Sequence, residues 1–343
     1  MRKMLNTLYI TTADYYLSLE NENVVVSDGN ETVAKFPLLG LEGIVTFSYK
    51  GASPALMGEC AKRKILLSFM SQNGKLLART IGANQGNILL RRQQYRLADK
   101  EAECIGIVQN MLVGKLYNCK WVVERTLRDH ALRVDEETLR KASQALSDAM
   151  KEVLQHNTYE ELRGVEGKAA TGYFGIFDEL ILNQKLDFVF ADRNRRPPMD
   201  NVNAMLSFGY ALLANECAAA LETVGLDAYA GFMHRDRPGR ASLALDMEEE
   251  LRPCCVDRFV LTLINNKVIQ PKHFDYQSDN AVLLNDDGRK LFIKHWQDRK
   301  REEITHPYLK EKLPWGLVPY AQALLLARTI RGDIESYPPF LWK

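Results

Sequence analysis

Residues 231–253, GFMHRDRPGRASLALDMEEELRP, set one histidine, His234, among glycine, proline and arginine. Asp246, Glu248, Glu249 and Glu250 follow it in a helix-like run. An imidazole beside carboxylates is a usual oxygen and nitrogen donor set for Mn2+ or Mg2+, and the intervening Arg235, Arg237 and Arg240 suit phosphate. On a helix Asp246, Glu249 and Glu250 fall at i, i+3 and i+4 and share one face, whereas Glu248 points elsewhere. Like charges at that spacing cost an isolated helix roughly 0.2 to 0.5 kcal/mol per pair unless a cation sits beside them. The competing reading is a solvated acidic face with a structural histidine. Ser242 stands where a helix cap is expected.

Two further stretches can contribute to such a site. In RGVEGKAATGYFGIF, Glu166 is flanked by Gly164 and Gly167. Gly167, Ala170, Thr171 and Phe174 there describe a small-residue helix face against which another helix can pack closely. Glu166 is then expected near the start of that helix, as a third ligand or as a carboxylate complementing the dipole. In DRNRRPPMDNVNAMLSFGYALL, Arg193, Arg195 and Arg196 precede a stiff Pro-Pro, and Asp200 can cap the next helix. This is either a fixed arginine fork for phosphates or a surface loop. LLRRQQYR and KHWQDRKREE read as basic helix faces, solvated or touching a DNA backbone. NGKLLART lacks the upstream glycine of a phosphate loop and no G-x-G-x-x-G follows a strand, so nucleotide-driven chemistry has no motif to rest on. No Ser-His-Asp or Cys-His pairing can be traced.

The elements that must position these residues change period along the chain. Up to about residue 85 short strand patterns dominate: YYLSL, VVVS and TVAKF, separated by NEN and DGN turns, then GIVTF. SPALMGECAKRK reads as one helix, with Ser53 as its cap and Pro54 in its first turn. ILLSFM and KLLARTI form a hairpin across SQNG. From about Asn87 the period becomes 3.6, clearest in residues 135–155, where Leu139, Ala142, Leu146, Ala149 and Val153 recur on one face. The segment from Val268 to Trp296 is the exception, its Pro, Ser-Asp-Asn and Asp-Asp-Gly suggesting a loop or small hairpin. The fold class is therefore α+β: a β-rich, sandwich-like domain with one helix over 1–86, a linker or helix start over 87–100, and a larger α-helical domain over 101–343.

Bulk composition permits this plan. The chain has 343 residues, 46% of them hydrophobic, which is enough for two cores. Its 45 Lys and Arg against 44 Asp and Glu leave a net charge of +1, so any nucleic-acid surface must arise by local clustering. The six cysteines are scattered without a C-x-x-C pair, which argues against a zinc ribbon or a disulfide framework and for a reducing cytoplasm. Adjacent Cys254 and Cys255 are expected as small core fillers at a helix start. Polar Asn6, Thr7, Thr11 and Thr12 interrupt the apolar run a secretory signal needs, and the protein is expected in the cytoplasm, away from membranes.

The three stretches, in this order, resemble the CRISPR-associated spacer-acquisition endonuclease/integrase family. The pattern G-x-E-G-x-x-A-x-x-Y-F is met at Gly164, Glu166, Gly167, Ala170, Tyr173 and Phe174, with adjacent alanines at 169 and 170. RNRRPPMDNVNAMLSFGYALL is similar to a second family block, with Asn201 in place of the usual proline, a departure expected to alter only a turn. HRDRPGRASLALDMEEELRP is similar to the most diagnostic block and in detail looks like the subtype I-C branch. The resemblance implies a metal site of Glu166, His234 and Glu249 holding Mg2+ or Mn2+, with Asp246 as a second acidic group one turn earlier. Whether Glu249 or Glu250 is the third ligand stays open. It also implies DNA contacts from Arg193, Arg195, Arg196, Arg235, Arg237 and Arg240. The implied reaction joins 3′-hydroxyl ends of captured DNA to a CRISPR repeat by transesterification. The implied partners are prespacer, repeat and leader DNA, a second copy paired through the β-rich domain, a small ferredoxin-like companion adaptation protein that bridges two such dimers, and an iron-sulfur nuclease that trims prespacers. The competing functions are a non-catalytic DNA-holding scaffold and a general metal-dependent repair nuclease.

Overall fold

The structure, a computed structural model, describes residues 6–82 and 88–343. The boundary expected at residues 86 and 87 lies outside the described residues, as do the first five. Two compact units are present: Met1–Gln85 with Leu284–Glu302, and Gly86–Leu283 with Glu303–Lys343.

The first unit begins with β1 (Thr7–Ile10), followed by β2 (Tyr15–Glu20), β3 (Asn23–Asp28) and β4 (Glu31–Pro37), an antiparallel meander turned by the Asn- and Gly-containing links read from the sequence. β5 (Gly43–Thr46), β6 (Leu66–Met70) and β7 (Leu76–Arg79) complete a second sheet in the order β1-β5-β6-β7, parallel except for the closing hairpin. Between β5 and β6 runs α1 (Pro54–Arg63). The Ser53 side chain accepts the Leu56 N–H and Pro54 opens the first turn, as expected. Leu17, Val24 and Val26 from one sheet meet Ile10, Ile44 and Leu67 from the other, with Leu56 and Cys60 of α1 in the same core.

The second unit is built on α2 (Ile88–Ala98), the thirty-residue α3 (Glu101–His130), α4 (Glu136–Val153), α5 (Tyr159–Gly175), α6 (Asn201–Val224), α7 (Ser242–Arg252) and α8 (Arg258–Asn265). α3 is the hub, packing against α2, α4, α5 and α7. Leu139, Leu146, Ala149 and Val153 of α4 are buried, so the 3.6-residue stripe faces the core. α6 is apolar and long enough by composition to cross a membrane, but 67% of its apolar window is buried inside the unit, against α7 and α10 among others. Pro253 breaks the i to i−4 ladder after α7, and Pro253–Asp257 winds as a π turn in which the Arg258 N–H reaches the Pro253 carbonyl. Cys254 and Cys255 lie buried in that turn rather than at a helix start.

The 268–296 segment is a short hairpin, β8 (Phe274–Tyr276) and β9 (Val282–Leu284), followed by a helix, α9 (Asp286–Arg301). Its Asp-Asp-Gly is the first turn of α9, not a loop: Asn285 caps it by accepting the Gly288 N–H. α9 is grouped with the β-rich unit, where Gln297 donates to the Thr7 carbonyl at 2.9 Å. β10 (Glu303–Thr305), β11 (Lys312–Pro314) and α10 (Val318–Arg331) return to the helical unit.

Candidate active site

Glu166 is the eighth residue of α5, which Thr158 caps by accepting the Glu161 N–H, so it stands mid-helix rather than at a helix start. A role in complementing the dipole is thereby excluded. The small-residue face beside it is not packed on another helix, because a Cβ built at Gly164, Gly167 or Gly172 would meet nothing within 4 Å. The buried Leu162, Val165 and Tyr173 pack α5 from its other side, and Arg163, one turn before Glu166, donates to the Met233 carbonyl and so joins α5 to the loop that carries His234.

The acidic run of α7 is not a solvated face. Asp246, Glu248, Glu249 and Glu250 are all buried, and each meets a different set of partners. Asp246 Oδ2 accepts the amides of Phe232 at 2.6 Å and Met233 at 3.1 Å, and Oδ1 accepts that of His234 at 3.0 Å. Its Oδ1 also lies 2.6 Å from His234 Nδ1. A carboxylate already accepting three amides leaves Nδ1 as the donor, so Nε2 keeps its lone pair for a metal or a proton. The loop can press this closely on α7 because position 231 is glycine: a Cβ there would lie 2.7 Å from the Ser242 Cβ. Ser242 does not cap. It is the first helical residue, its hydroxyl donates to the Arg235 carbonyl at 3.3 Å, and the Leu243 and Ala244 amides of that turn are taken by the Ala228 carbonyl.

Glu249 and Glu166 converge on one cation, the ammonium of Lys115 on α3. Lys115 Nζ is 2.7 Å from Glu249 Oε2 and also hydrogen-bonds Glu166 Oε1. The guanidinium of Arg252 pairs with Glu249 on its other side and with Glu248 at 3.0 Å. Burial would push the Glu249 carboxyl up, but Arg252 and Lys115 hold it at about 2. For Lys115, burial opposes the charge and the two glutamates more than restore it, so its ammonium is held above the usual range. Burial outweighs Arg252 at Glu248 and pushes that carboxyl up.

Glu250 turns away from this group. Its Oε1 accepts from the Tyr337 hydroxyl and, at 3.0 Å, from Gln322, while Oε2 accepts the Phe340 amide at 3.1 Å. Burial pushes its carboxyl up to about 7, restrained by those donors. Adjacent residues on a helix diverge by about 100°, and Glu249 is the one that shares a cation with Glu166. Among the described residues no three His, Cys, Asp or Glu side chains form a ready cage for a metal ion. Two acids on one ammonium are the parts brought together, and His234 stands on the loop that Arg163 ties to α5 and Asp246 ties to α7.

The arginines divide. Arg193 is turned inward, donating to Asn203 at 2.6 Å and Ser207 at 3.1 Å, and it stacks on the Tyr210 ring at 5.3 Å. Arg252 covers the same ring at 4.9 Å, and the Tyr210 and Tyr173 hydroxyls both donate to buried Asp257, at 2.5 Å and 3.1 Å. Burial pushes Asp257 up to about 6 against those hydroxyls. Arg195, Arg196, Arg235 and Arg237 are exposed. The part-buried Arg240 has its guanidinium pushed down by burial and then by the charges of Arg237, Arg195 and Arg196, so the two arginine loops crowd their positive charge together. Asp200 caps α6 as expected, accepting the Asn203 N–H at 2.7 Å. Asn201 does more than alter a turn: buried, it donates to the Asp187 carbonyl at 2.8 Å and accepts from the Tyr276 hydroxyl at 3.1 Å.

Lys115, Arg163, Arg252 and Tyr210 were missed as site residues by the motifs. The available signal for Lys115 was a charged residue in register with Met111, Leu112 and Cys119 on the buried face of α3.

The CRISPR associated protein Cas1 family matches residues 8–298. The chain is 45% identical over 343 residues, the whole of both chains, to the CRISPR-associated endonuclease Cas1 1 of Chlorobaculum tepidum. Among solved structures it is similar to a casposase bound to integration product, with a TM-score of 0.83 and 22% identity over 98% of this chain and 93% of that one. It is similar in fold also to a Cas6-RT-Cas1–Cas2 complex, at a TM-score of 0.83 and 22% identity, covering 100% of this chain and 36% of that one. With these blocks, this α+β architecture and a full-length match at that identity, the chain belongs to the CRISPR-associated endonuclease Cas1 family.

Proposed function

We propose that the protein is a divalent-metal-dependent DNA endonuclease and integrase of CRISPR adaptation. The reaction is transesterification: the 3′-hydroxyl of a captured fragment displaces one ester oxygen at a repeat boundary. One phosphodiester bond forms as another breaks and the leaving 3′-oxygen takes the proton, so no ATP is needed. Water in place of the hydroxyl gives strand cleavage. The observation that carries this reading is the convergence of Glu166 and Glu249, from separate helices, on a single positive charge.

The donor chemistry fits Mg2+ or Mn2+. Glu249 is ionised at any working pH, Glu166 shares its cation, and His234 has Nε2 free of the bond that orients the ring. Glu166, His234 and Glu249 would hold the ion, which when bound would polarise the scissile phosphate and stabilise developing charge. Asp246 fixes the tautomer and aim of His234. Arg195, Arg196, Arg237 and Arg240 supply clustered positive charge for phosphates, while Arg193 and Arg252 brace the interior behind them through Tyr210.

The same family reading supports prespacer, repeat and leader DNA as substrates, a homodimer formed through the β-rich domain, and bridging of dimers by the small ferredoxin-like companion. A solved Cas1–Cas2 assembly of the same fold is in keeping with that. The subtype I-C-like block supports an iron-sulfur trimming partner, and the six unpaired cysteines support a reducing, cytoplasmic site of action. The test is an integration assay with the companion protein and a repeat-bearing plasmid in Mn2+, then in EDTA. Glu166→Ala and His234→Ala are expected to abolish joining while DNA binding survives; joining retained by either variant removes the scheme.

A further inference from the structure

The segment after α10 carries no regular structure, yet Tyr337 and Phe340 are buried as deeply as any core residue. A buried irregular backbone must find partners for its polar groups, and here side chains from three helices supply them. Asn110 of α3 donates to the Tyr337 carbonyl at 2.8 Å, and Gln322 of α10 to the Pro338 carbonyl at 3.2 Å. Asn118 of α3 donates to the Phe340 carbonyl at 2.8 Å and accepts the Trp342 amide at 3.1 Å. Glu250 of α7 accepts the Phe340 amide at 3.1 Å. Pro338 and Pro339 bring no N–H to satisfy. The Phe340 ring is closed in by Trp315 and His306, and Trp342 by Trp315 and Arg258.

The contacts fall beside the reacting residues. Glu250 follows Glu249, and Asn118 lies one turn from Lys115. The same Asn118 amide that holds the segment also donates to the Glu250 backbone carbonyl at 2.7 Å, stapling α3 to α7 at the level of the site. At Gly114, the neighbour of Lys115, an added Cβ would lie 2.9 Å from Glu250 Oε2, 3.1 Å from its Cβ and 3.3 Å from the Pro339 Cβ. Two helices and the segment therefore meet at a point with no spare volume.

We infer that Tyr337–Trp342 is a strap that sets the position of Glu249 against Lys115 and Glu166, with Asn118, Glu250 and Tyr337 as positioning residues for the reaction. None of the three reaches the shared cation itself. The inference rests on the reading that Glu249 serves the reaction. It assigns Glu250 to alignment instead of metal ligation.

The test uses the full chain and branched DNA in Mn2+, with turnover, KM for DNA and Mn2+ affinity by electron paramagnetic resonance measured together. Asn118→Ala removes three bonds of the staple and is expected to lower kcat roughly ten- to a hundredfold, as small misplacements of catalytic groups do. KM should stay within about twofold, because no phosphate contact is lost, and Mn2+ binding should weaken. Tyr337→Phe deletes one hydroxyl, with the bond it donates to Glu250 and the one it accepts from Gln322, keeps the ring packed and guards against a folding failure in the first variant; it is expected to lose about three- to tenfold in kcat, the scale of a buried hydrogen bond to Glu250. Glu249→Gln is the reference. If it is inactive while folded Tyr337→Phe and Asn118→Ala match the wild type in kcat and Mn2+ affinity, the strap is only packing and the inference falls alone. If Glu249→Gln is as active as the wild type, the site reading falls and takes the strap's role with it.

Discussion

Replacing Lys115 by methionine tests the centre of the site directly, because it keeps the length of the side chain and removes the charge that Glu166 and Glu249 share. Breaking a buried ion pair by removing one partner typically costs ~3–5 kcal/mol, since an uncompensated charge is left behind. Here Arg252 still serves Glu249 and the Glu166 side chain is 24% exposed, so the lower end, ~3 kcal/mol, is expected. For a unit of this size, ~2–4 °C of melting temperature per kcal/mol makes a drop of about 6–12 °C in EDTA. Manganese should restore much of it. An ion binding only the native state gains ~2.7 kcal/mol at a hundredfold excess over its Kd, and in the variant it has no ammonium to displace. Differential scanning fluorimetry of both proteins in EDTA and across a MnCl2 series reads both quantities. A variant that loses less than about 1 kcal/mol, or gains no more from Mn2+ than the wild type does, refutes the idea that the ammonium holds the cation position.

Asp246→Asn should leave the chain folded but release the tautomer of His234, lowering metal affinity about 10–100-fold and strand cleavage at least as much; unchanged cleavage would show the imidazole aims itself. Asp257, held at about 6, and Glu250, at about 7, bind their protons more tightly folded than unfolded. Their contribution is full below about pH 4 and is lost as pH rises through 7, on the order of 3 kcal/mol each. Urea midpoints of the metal-free protein should therefore fall between pH 5 and pH 8, and Glu250→Gln should flatten that slope; a rising midpoint contradicts it. Arg240→Ala and Arg195→Ala should each reduce the salt dependence of DNA binding by about one phosphate's worth, whereas Arg193→Ala should lower stability and leave that slope unchanged.

Local signals were the ones the sequence showed well. The Ser53 and Asp200 caps, the hairpin turns of the first sheet and the apolar stripe of α4 depend only on neighbours within a few residues, and they are found where their spacing puts them. The motif blocks identified the histidine and the acids, but helix periodicity could not tell a wet acidic face from a buried one, because that depends on what α3 and the Tyr337–Trp342 segment bring against it. The sequence also set Glu249 and Glu250 on nearly one face; only their distant partners, Lys115 and Tyr337, separate them. Local pattern also missed the start of α9, whose Asp-Asp-Gly reads as a turn, and gives no sign that this helix joins the β-rich unit. Arg193 looked like its neighbours Arg195 and Arg196 in sequence and faces the opposite way, drawn inward by Asn203, Ser207 and an aromatic ring.

The two acids of the site ride on helices, and the imidazole rides on a loop. Glu166 and Glu249 inherit the stiffness of backbones hydrogen-bonded above and below them. His234 belongs to a stretch whose next residues, 235–239, lie open to solvent. What compliance the centre has is thus concentrated in one of its three members, and a single carboxylate, gathering three consecutive amides and the ring nitrogen, decides how much of that freedom is spent. On gentle warming, amide exchange should open at Met233 and His234 well before it reaches α5 or α7, leaving a half-assembled centre inside an intact helical frame.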